Sequence, residues 1–161
     1  MNLEFNDIDQ ALQYFENKNF SEKAEEEFMA SYPSILSYLT SSQFEPLTED
    51  EFLILMFDAM VILKAYQNKL GKTIDPDGDL IEKTETTNWD NFEELGKMPL
   101  EEKMFELFED DDSPLAEFII STLEDEDEEE EDSNDEINFV VKEIIFISLK
   151  TISDCIKESD L

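Results

Sequence analysis

The sequence predicts an all-α protein, a single-domain helical bundle of about seven or eight helices spanning residues 1–161, and three observations indicate this class. Only 3 Gly and 5 Pro occur in the chain, which leaves few places for tight hairpin turns. Apolar residues recur at helical spacing, and capping residues repeatedly precede those patterns. Two segments, Thr48 to Leu70 and Ser133 to Lys157, are apolar on nearly every face, as expected for enclosed helices. We expect shorter amphipathic helices to pack around these two.

The first three helices are short. The first runs from about Asp7 to Lys18, and its apolar residues form one stripe. Ser21 is placed to cap a second helix that continues to Ala30. Pro33 opens a third, because proline is well tolerated in a first helical turn.

The clearest helix follows Thr48, which has capping-box spacing to Glu51. Gly71 is placed to end this helix after Leu70, since glycine readily adopts the left-handed conformation common just past a helix end. Asp58 interrupts the apolar sequence between these ends. We expect its carboxylate to lie at a partly solvated edge or to be hydrogen-bonded to a neighbour.

The stretch from Lys72 to Thr87 is predicted to be a loop, because Asp75 to Gly78 has the composition of a turn. A calcium-binding EF-hand starting at Asp75 would need glycine at its sixth position and glutamate at its twelfth. Leu80 and Thr86 stand there instead, so a solvated turn is the better interpretation. The next helix is expected to start at Thr87 or Asn88 and to stop at Gly96.

Three further helices complete the prediction. Pro99 starts one, and Ser113-Pro114 starts the next. Ser133 and Glu136 repeat the capping-box spacing before the last apolar segment, which we expect to pack against the helix from Thr48 to Leu70. Many β-branched residues between Ile137 and Ile147 leave a strand as an alternative there.

Charge limits what the chain can do. It has 44 acidic residues against 11 basic ones, with no His and no Arg, and a net charge of −33. Without His the chain lacks the usual proton shuttle, and without Arg it lacks the usual side chain for bidentate anion binding. The strongly negative net charge argues against direct nucleic-acid binding. The one cysteine, Cys155, falls in an apolar helical pattern and is expected to be a small buried hydrophobe. No cofactor and no metal are predicted.

The charge is concentrated between Glu124 and Glu136, where eleven of thirteen residues are acidic. Such a run is often a flexible, solvated connection between helices. The alternative interpretation is a segment that attracts a basic partner electrostatically. The preceding aspartates extend the same patch. The candidate partner-binding residues are Asp110, Asp111, Asp112, Glu124, Asp125, Glu126, Asp127, Glu128, Glu129, Glu130, Glu131 and Asp132.

These features favour a nonenzymatic acidic protein that engages a basic protein surface as an inhibitor, an immunity protein or a nucleic-acid mimic. One alternative is a helical interaction module whose charge only confers solubility. Another is a carboxylate-dependent magnesium enzyme of the all-α nucleotide pyrophosphohydrolase type, using acidic pairs such as Glu22 with Glu25 or Glu26, or Glu102 with Glu106. The N-terminal residues show neither a basic start nor an apolar run, which predicts a cytoplasmic protein that does not bind membranes.

Overall fold

Helices are the only regular secondary structure in the described residues, which confirms the predicted all-α class. The computed structural model describes residues 2–17, 21–108, 112–124 and 135–160, with side chains for 2–17, 21–108, 112–123 and 140–160. The α-helices are α1 (Phe5–Asn17), α2 (Glu22–Met29), α3 (Pro33–Leu39), α4 (Glu49–Leu70), α5 (Gly78–Glu94), α6 (Leu100–Leu107), α7 (Ser113–Glu124) and α8 (Asp135–Ser159), with a 3₁₀ turn at Ser42–Phe44.

Helix α4 is the central element, as predicted from a sequence that is apolar on nearly every face. Eleven of its residues are buried. The capping box is present: the Glu51 backbone N–H donates to Thr48 Oγ1 at 3.2 Å, and the Thr48 N–H donates to Glu51 Oε1 at 2.7 Å. Gly71 ends the helix in the left-handed conformation, with φ of 70°, which glycine adopts without steric cost.

Helix α8 packs alongside α4 in the same direction. Tyr66 Oη lies 2.6 Å from Ser153 Oγ. Just past the C-terminal ends of the two helices, the Lys72 ammonium lies 2.9 Å from an Asp160 carboxylate oxygen. The expected packing of the two apolar helices is therefore confirmed. The alternative of a strand between Ile137 and Ile147 is wrong, because the residues that α8 buries follow a helical spacing. These residues include Val141, Ile145, Leu149, Ile152 and Ile156. Ser133, the predicted cap, lies outside the described residues.

Helix α1 packs antiparallel to α4. The Lys69 ammonium pairs with Asp7 at 3.2 Å at one end of the contact. Towards the other end the rings of Phe15 and Phe57 lie 6.4 Å apart. The neighbouring α2 is capped as predicted, since Ser21 Oγ accepts a hydrogen bond from the Ala24 N–H at 3.2 Å.

The predicted loop from Lys72 to Thr87 is wrong beyond its first residues, because α5 already begins at Gly78. Although the first half of α5 is mostly polar, the helix has one narrow buried face that contains Ile81, Asn88 and Phe92. The hydroxyl of Thr87 donates back to the Lys83 carbonyl at 3.1 Å, a bond compatible with a helix. The turn composition of the sequence therefore marks only the residues before Gly78.

Helix α5 runs antiparallel to α8 and closes the other side of that helix. Asn88 Nδ2 donates to Thr151 Oγ1 at 3.1 Å, deep in the contact. The Cys155 thiol is fully buried, with its sulfur 3.8 Å from the Leu80 carbonyl oxygen. The prediction that Cys155 is a small buried hydrophobe is confirmed, and burial raises the pKa of its thiol to about 11.

The buried apolar residues of these helices form one core cluster that extends from Leu3 to Ile156. Aromatic rings supply much of it, including Phe108 and Phe146, whose centroids lie 5.7 Å apart in an edge-to-face arrangement. Across the residues with described coordinates, no helix combines the length and the apolar character needed to cross a membrane.

Candidate functional site

The acidic run predicted to bind a partner lies between α7 and α8. Glu124 is the last residue of α7, and Asp135 is the first residue of α8. Leu123 and Val141 are both buried, so apolar contacts hold the helices on both sides of the run. The side chains of Asp110, Asp111 and Glu124 and residues 125–134 lie outside the described part of the structure. Partner binding by these residues stays a prediction.

Asp112 is the one member of the candidate set whose side chain is described, and its carboxylate faces inward. The residue is 4% exposed and forms an ion pair with Lys157 of α8. Its Oδ1 atom has no hydrogen-bond partner among the described atoms. Asp112 therefore fastens the start of α7 to α8. This placement differs from the exposed patch expected from the sequence, where adjacent aspartates could not be told apart.

The lysines in the described segments are largely used within the bundle. Besides Lys157, ion pairs join Lys69 to Asp7, Lys72 to Asp160, and Lys150 to Asp154. Lys64 and Lys103 instead lie over aromatic rings, with their nitrogens 4.0 Å from the centroid of Tyr14 and 4.5 Å from that of Phe92. Eleven lysines cannot neutralise 44 acidic residues. Most of the negative charge is left without an internal counterion.

Exposed carboxylates on the described helices add to the charge of the acidic run. They lie on the outer faces of α2, α5 and α6, opposite the buried stripes. They are Glu22, Glu26, Glu27, Asp79, Glu82, Asp90, Glu93, Glu94, Glu101, Glu102 and Glu106. The anionic surface is therefore broader than the segment between α7 and α8.

An open cleft of about 410 Å³ separates α3 and the 3₁₀ turn from α5. At its floor Glu85 accepts hydrogen bonds from the Tyr38 hydroxyl and, at 3.1 Å, from Gln43 Nε2. Burial, followed by the nearby Glu85 charge, raises the pKa of the Tyr38 phenol, so Tyr38 acts as a donor. Serines and glutamates supply most of the remaining lining: Ser34, Ser37, Ser41, Ser42 and Glu82. No lysine lines this cleft, which is suited to receive hydrogen-bond donors or a cation.

The acidic pairs considered for a magnesium site point outward. Glu22, Glu26, Glu102 and Glu106 are exposed, and Glu25 is half-buried. Burial and the charges of Glu22 and Glu26 raise the pKa of Glu25. Among the side chains that the structure describes, no group of three or more acidic or cysteine residues is arranged to hold a metal ion.

Asp58 is the most unusual ionisable group in the described structure. It is fully buried on α4, and Thr122 Oγ1 of α7 lies 2.6 Å from its Oδ2 atom. This geometry matches one of the two sequence expectations, a hydrogen bond to a neighbouring element. Burial raises the pKa of the Asp58 carboxyl to about 7, and the hydrogen bond with Thr122 opposes the rise. The sequence signals Asp58 as an exception on an apolar helix, but it does not identify Thr122 as the partner.

Comparisons of this chain with protein-family models, with curated proteins and with solved structures found no match.

Proposed function

We propose that this chain is a nonenzymatic binding protein whose acidic surface engages a basic surface on another protein, as an inhibitor, an immunity protein or a nucleic-acid mimic. The observation that carries the proposal is the use of lysines described above. Ion pairs and aromatic contacts within the chain already engage five lysines: Lys64, Lys69, Lys72, Lys150 and Lys157. The carboxylates remain in large excess, and many of those on α2, α5 and α6 are exposed to solvent.

A helical scaffold with such a surface suits recognition of cations. Complementary charge accelerates association and disfavours wrong partners. Carboxylates held on rigid helices also resemble the phosphates of a nucleic acid, which carry about one charge per 1.7 Å of duplex. A mimic of this kind would occupy a basic site that otherwise binds nucleic acid. In this proposal the protein itself binds neither nucleic acid nor membranes, because it would be repelled by their phosphates.

The cleft between α3 and α5 is suited to a cationic side chain from such a partner. Glu85 is oriented by Tyr38 and Gln43, and one of its carboxylate oxygens, Oε2, accepts both bonds. Glu82 is exposed on the same wall of the cleft. Two carboxylates spaced by three residues on a helix lie on one face, where a lysine or arginine of the partner could contact both.

The test compares two variants of equal net charge. In the first, residues 128–132 become their amide counterparts, which removes five negative charges from the acidic run. In the matched control, the same change is made at five exposed carboxylates of α2 and α6, namely Glu22, Glu26, Glu27, Glu101 and Glu102. Circular dichroism verifies that both variants fold.

Each protein is immobilised and exposed to an extract of its native cells at low salt, and captured proteins are identified by mass spectrometry. We expect the unaltered chain and the control to retain the same basic protein and to release it as salt rises. The first variant should retain it weakly. Equal loss from both variants would indicate only bulk charge attraction and would contradict a role for the acidic run.

Apolar docking is the second candidate, and four exposed side chains favour it. Phe5, Leu53, Phe105 and Val140 are each more than two-fifths exposed. Single exposed apolar residues are common on folded proteins, so this observation is weaker than the charge excess. A partner that stays bound at high salt and survives both charge variants would favour this alternative.

A further inference from the structure

Asp58 is a buried carboxyl group with too few hydrogen-bond partners to stabilise its ionised form. It has no exposed surface, and its Oδ1 atom has no hydrogen-bond partner among the described atoms. The Thr122 hydroxyl is the hydrogen-bonding group at its Oδ2 atom. A buried anion normally needs a counterion or several donors.

The number of hydrogens available at this contact favours a protonated Asp58. Thr122 Oγ1 lies 2.6 Å from Asp58 Oδ2 and 2.9 Å from the carbonyl oxygen of Ile119. A threonine hydroxyl carries one hydrogen, so with an ionised Asp58 it can satisfy only one of these two acceptors. With a protonated Asp58, the acid donates to Thr122 and Thr122 donates to Ile119. Both short contacts then contain a hydrogen.

The charged groups on the helices packed against α4 do not favour the ionised form of Asp58 over the protonated form. On α1, Asp7 pairs with Lys69, and Asp9 and Glu16 are exposed. On α7, Glu117 is exposed. The lysines in the C-terminal half of α8 are directed to other acids, Lys150 to Asp154 and Lys157 to Asp112. Nearer its start, Glu143 of α8 interacts with Lys103. On α4 itself, Glu51 is held in the capping box and Lys64 lies over Tyr14.

We propose that Asp58 is protonated in the folded protein, that its carboxyl O–H donates a hydrogen bond to Thr122 Oγ1, and that loss of the proton releases the last turn of α7 from α4. Ile119 and Leu123 on the same helix are buried beside Thr122, so ionisation places an anion within an apolar contact. Glu124, the last residue of α7, is also the first residue of the acidic run. The proposal does not depend on the proposed partner.

Two measurements test it. The first follows the carboxyl carbon of Asp58 by NMR during a pH titration of the unaltered chain. We expect its midpoint near pH 7, and a midpoint close to about 4, the value of an ordinary aspartate, would overturn the proposal. This measurement needs no variant and stands even if a substitution prevents folding.

The second measures hydrogen exchange of the α7 backbone amides. The rates are expressed as protection factors, which correct for the effect of pH on the intrinsic exchange rate. If the released turn restores an ordinary pKa to Asp58, protection should fall about a hundredfold between pH 5 and pH 8. Asp58→Asn permanently supplies a donor to Thr122, so its protection should stay nearly constant over that range.

Glu117→Gln is the matched control, because it removes the same charge from an exposed position on α7. It should retain the pH dependence of the unaltered chain. An identical fall in protection for the Asp58→Asn variant and the unaltered chain would refute the coupling between this proton and α7.

Discussion

The Asp75 carboxylate caps α3 from a distant part of the chain, with its Oδ2 atom 2.9 Å from the backbone nitrogen of Ser34. Its Oδ1 atom accepts a second bond from the Ile35 N–H at 3.2 Å. Pro33, the first residue of the helix, has no N–H to offer, and the side chain of Tyr32 at the capping position makes no capping hydrogen bond. Asp75 therefore takes the role that a serine or aspartate before the helix would ordinarily have.

Replacing this long-range cap should destabilise the fold. Asp75→Ala leaves two N–H groups of α3 without their acceptor, and we expect a loss of about 1.5 kcal/mol in the free energy of unfolding. Urea denaturation monitored by circular dichroism measures it. Asp77→Ala is the control, because Asp77 at the start of α5 makes no side-chain capping bond. Equal losses for the two variants would contradict the capping role.

The hydrogen bond between Tyr66 and Ser153 should stabilise the packing of α4 against α8. Both groups are buried, and burial raises the pKa of the Tyr66 phenol, so the hydroxyl stays protonated. Tyr66→Phe and Ser153→Ala should each cost about 1 kcal/mol. The double variant should cost less than their sum, because the second change removes a group already unpaired. Strict additivity in this cycle would show that the two hydroxyls do not interact.

The thiol of Cys155 should be inert while the protein is folded. It has no exposed surface, and burial raises its pKa to about 11. At pH 8 the smaller thiolate fraction alone should slow its reaction with a thiol reagent by about a hundredfold relative to an ordinary cysteine. Reaction kinetics in the native protein and in urea provide the comparison. Fast labelling without denaturant would be incompatible with the buried position.

The unfolding free energy should fall as pH rises, owing to Asp58. Its pKa is higher in the folded protein than in the unfolded chain, so the folded state binds more protons between about pH 4 and pH 7. The contribution of Asp58 to the free energy of unfolding is greatest below about pH 4. It decreases by about 4 kcal/mol as the pH rises from about 4 to about 7. Comparison with Asp58→Asn isolates this contribution from those of the other acids. The variant should match the unaltered chain at pH 4 and exceed it at pH 8; a constant difference would contradict this account.

Added salt should stabilise the protein. The net charge of −33 produces self-repulsion in the compact state, and salt screens exposed charges. Each 1 kcal/mol gained should raise Tm by about 2 to 4 °C at this chain length. Calorimetry across a sodium chloride series measures the change. A decrease in Tm would indicate that the surface ion pairs, such as Lys72 with Asp160, outweigh the repulsion.

Local signals in the sequence predicted most of the helices. The capping box at Thr48, the cap at Ser21 and the glycine after Leu70 act between residues within four positions of one another, so their pattern is visible in the sequence. The start of α5 was missed because its first half is polar and rich in threonine. Its helical state depends on burying Ile81 and Asn88 against other parts of the fold, a contact that no local pattern encodes.

For the candidate site, the sequence predicts the composition but not the position of individual side chains. The sequence shows the density of acidic residues, but it cannot separate Asp112, which pairs with Lys157, from the aspartates that precede it. The bond between Asp58 and Thr122 likewise joins residues far apart in the chain. Burial and missing partners decide the chemistry of both carboxylates, and both properties arise from tertiary packing.

The parallel packing of α4 and α8 constrains the order in which this protein can mature during its synthesis. The two helices are far apart in the sequence, and α5, α6 and α7 leave the ribosome between them. Until α8 emerges, much of the apolar surface of α4 lacks its final cover. During that interval α4 exposes apolar surface that α1 alone does not cover, and we expect repulsion among the many acidic residues of the chain to oppose aggregation.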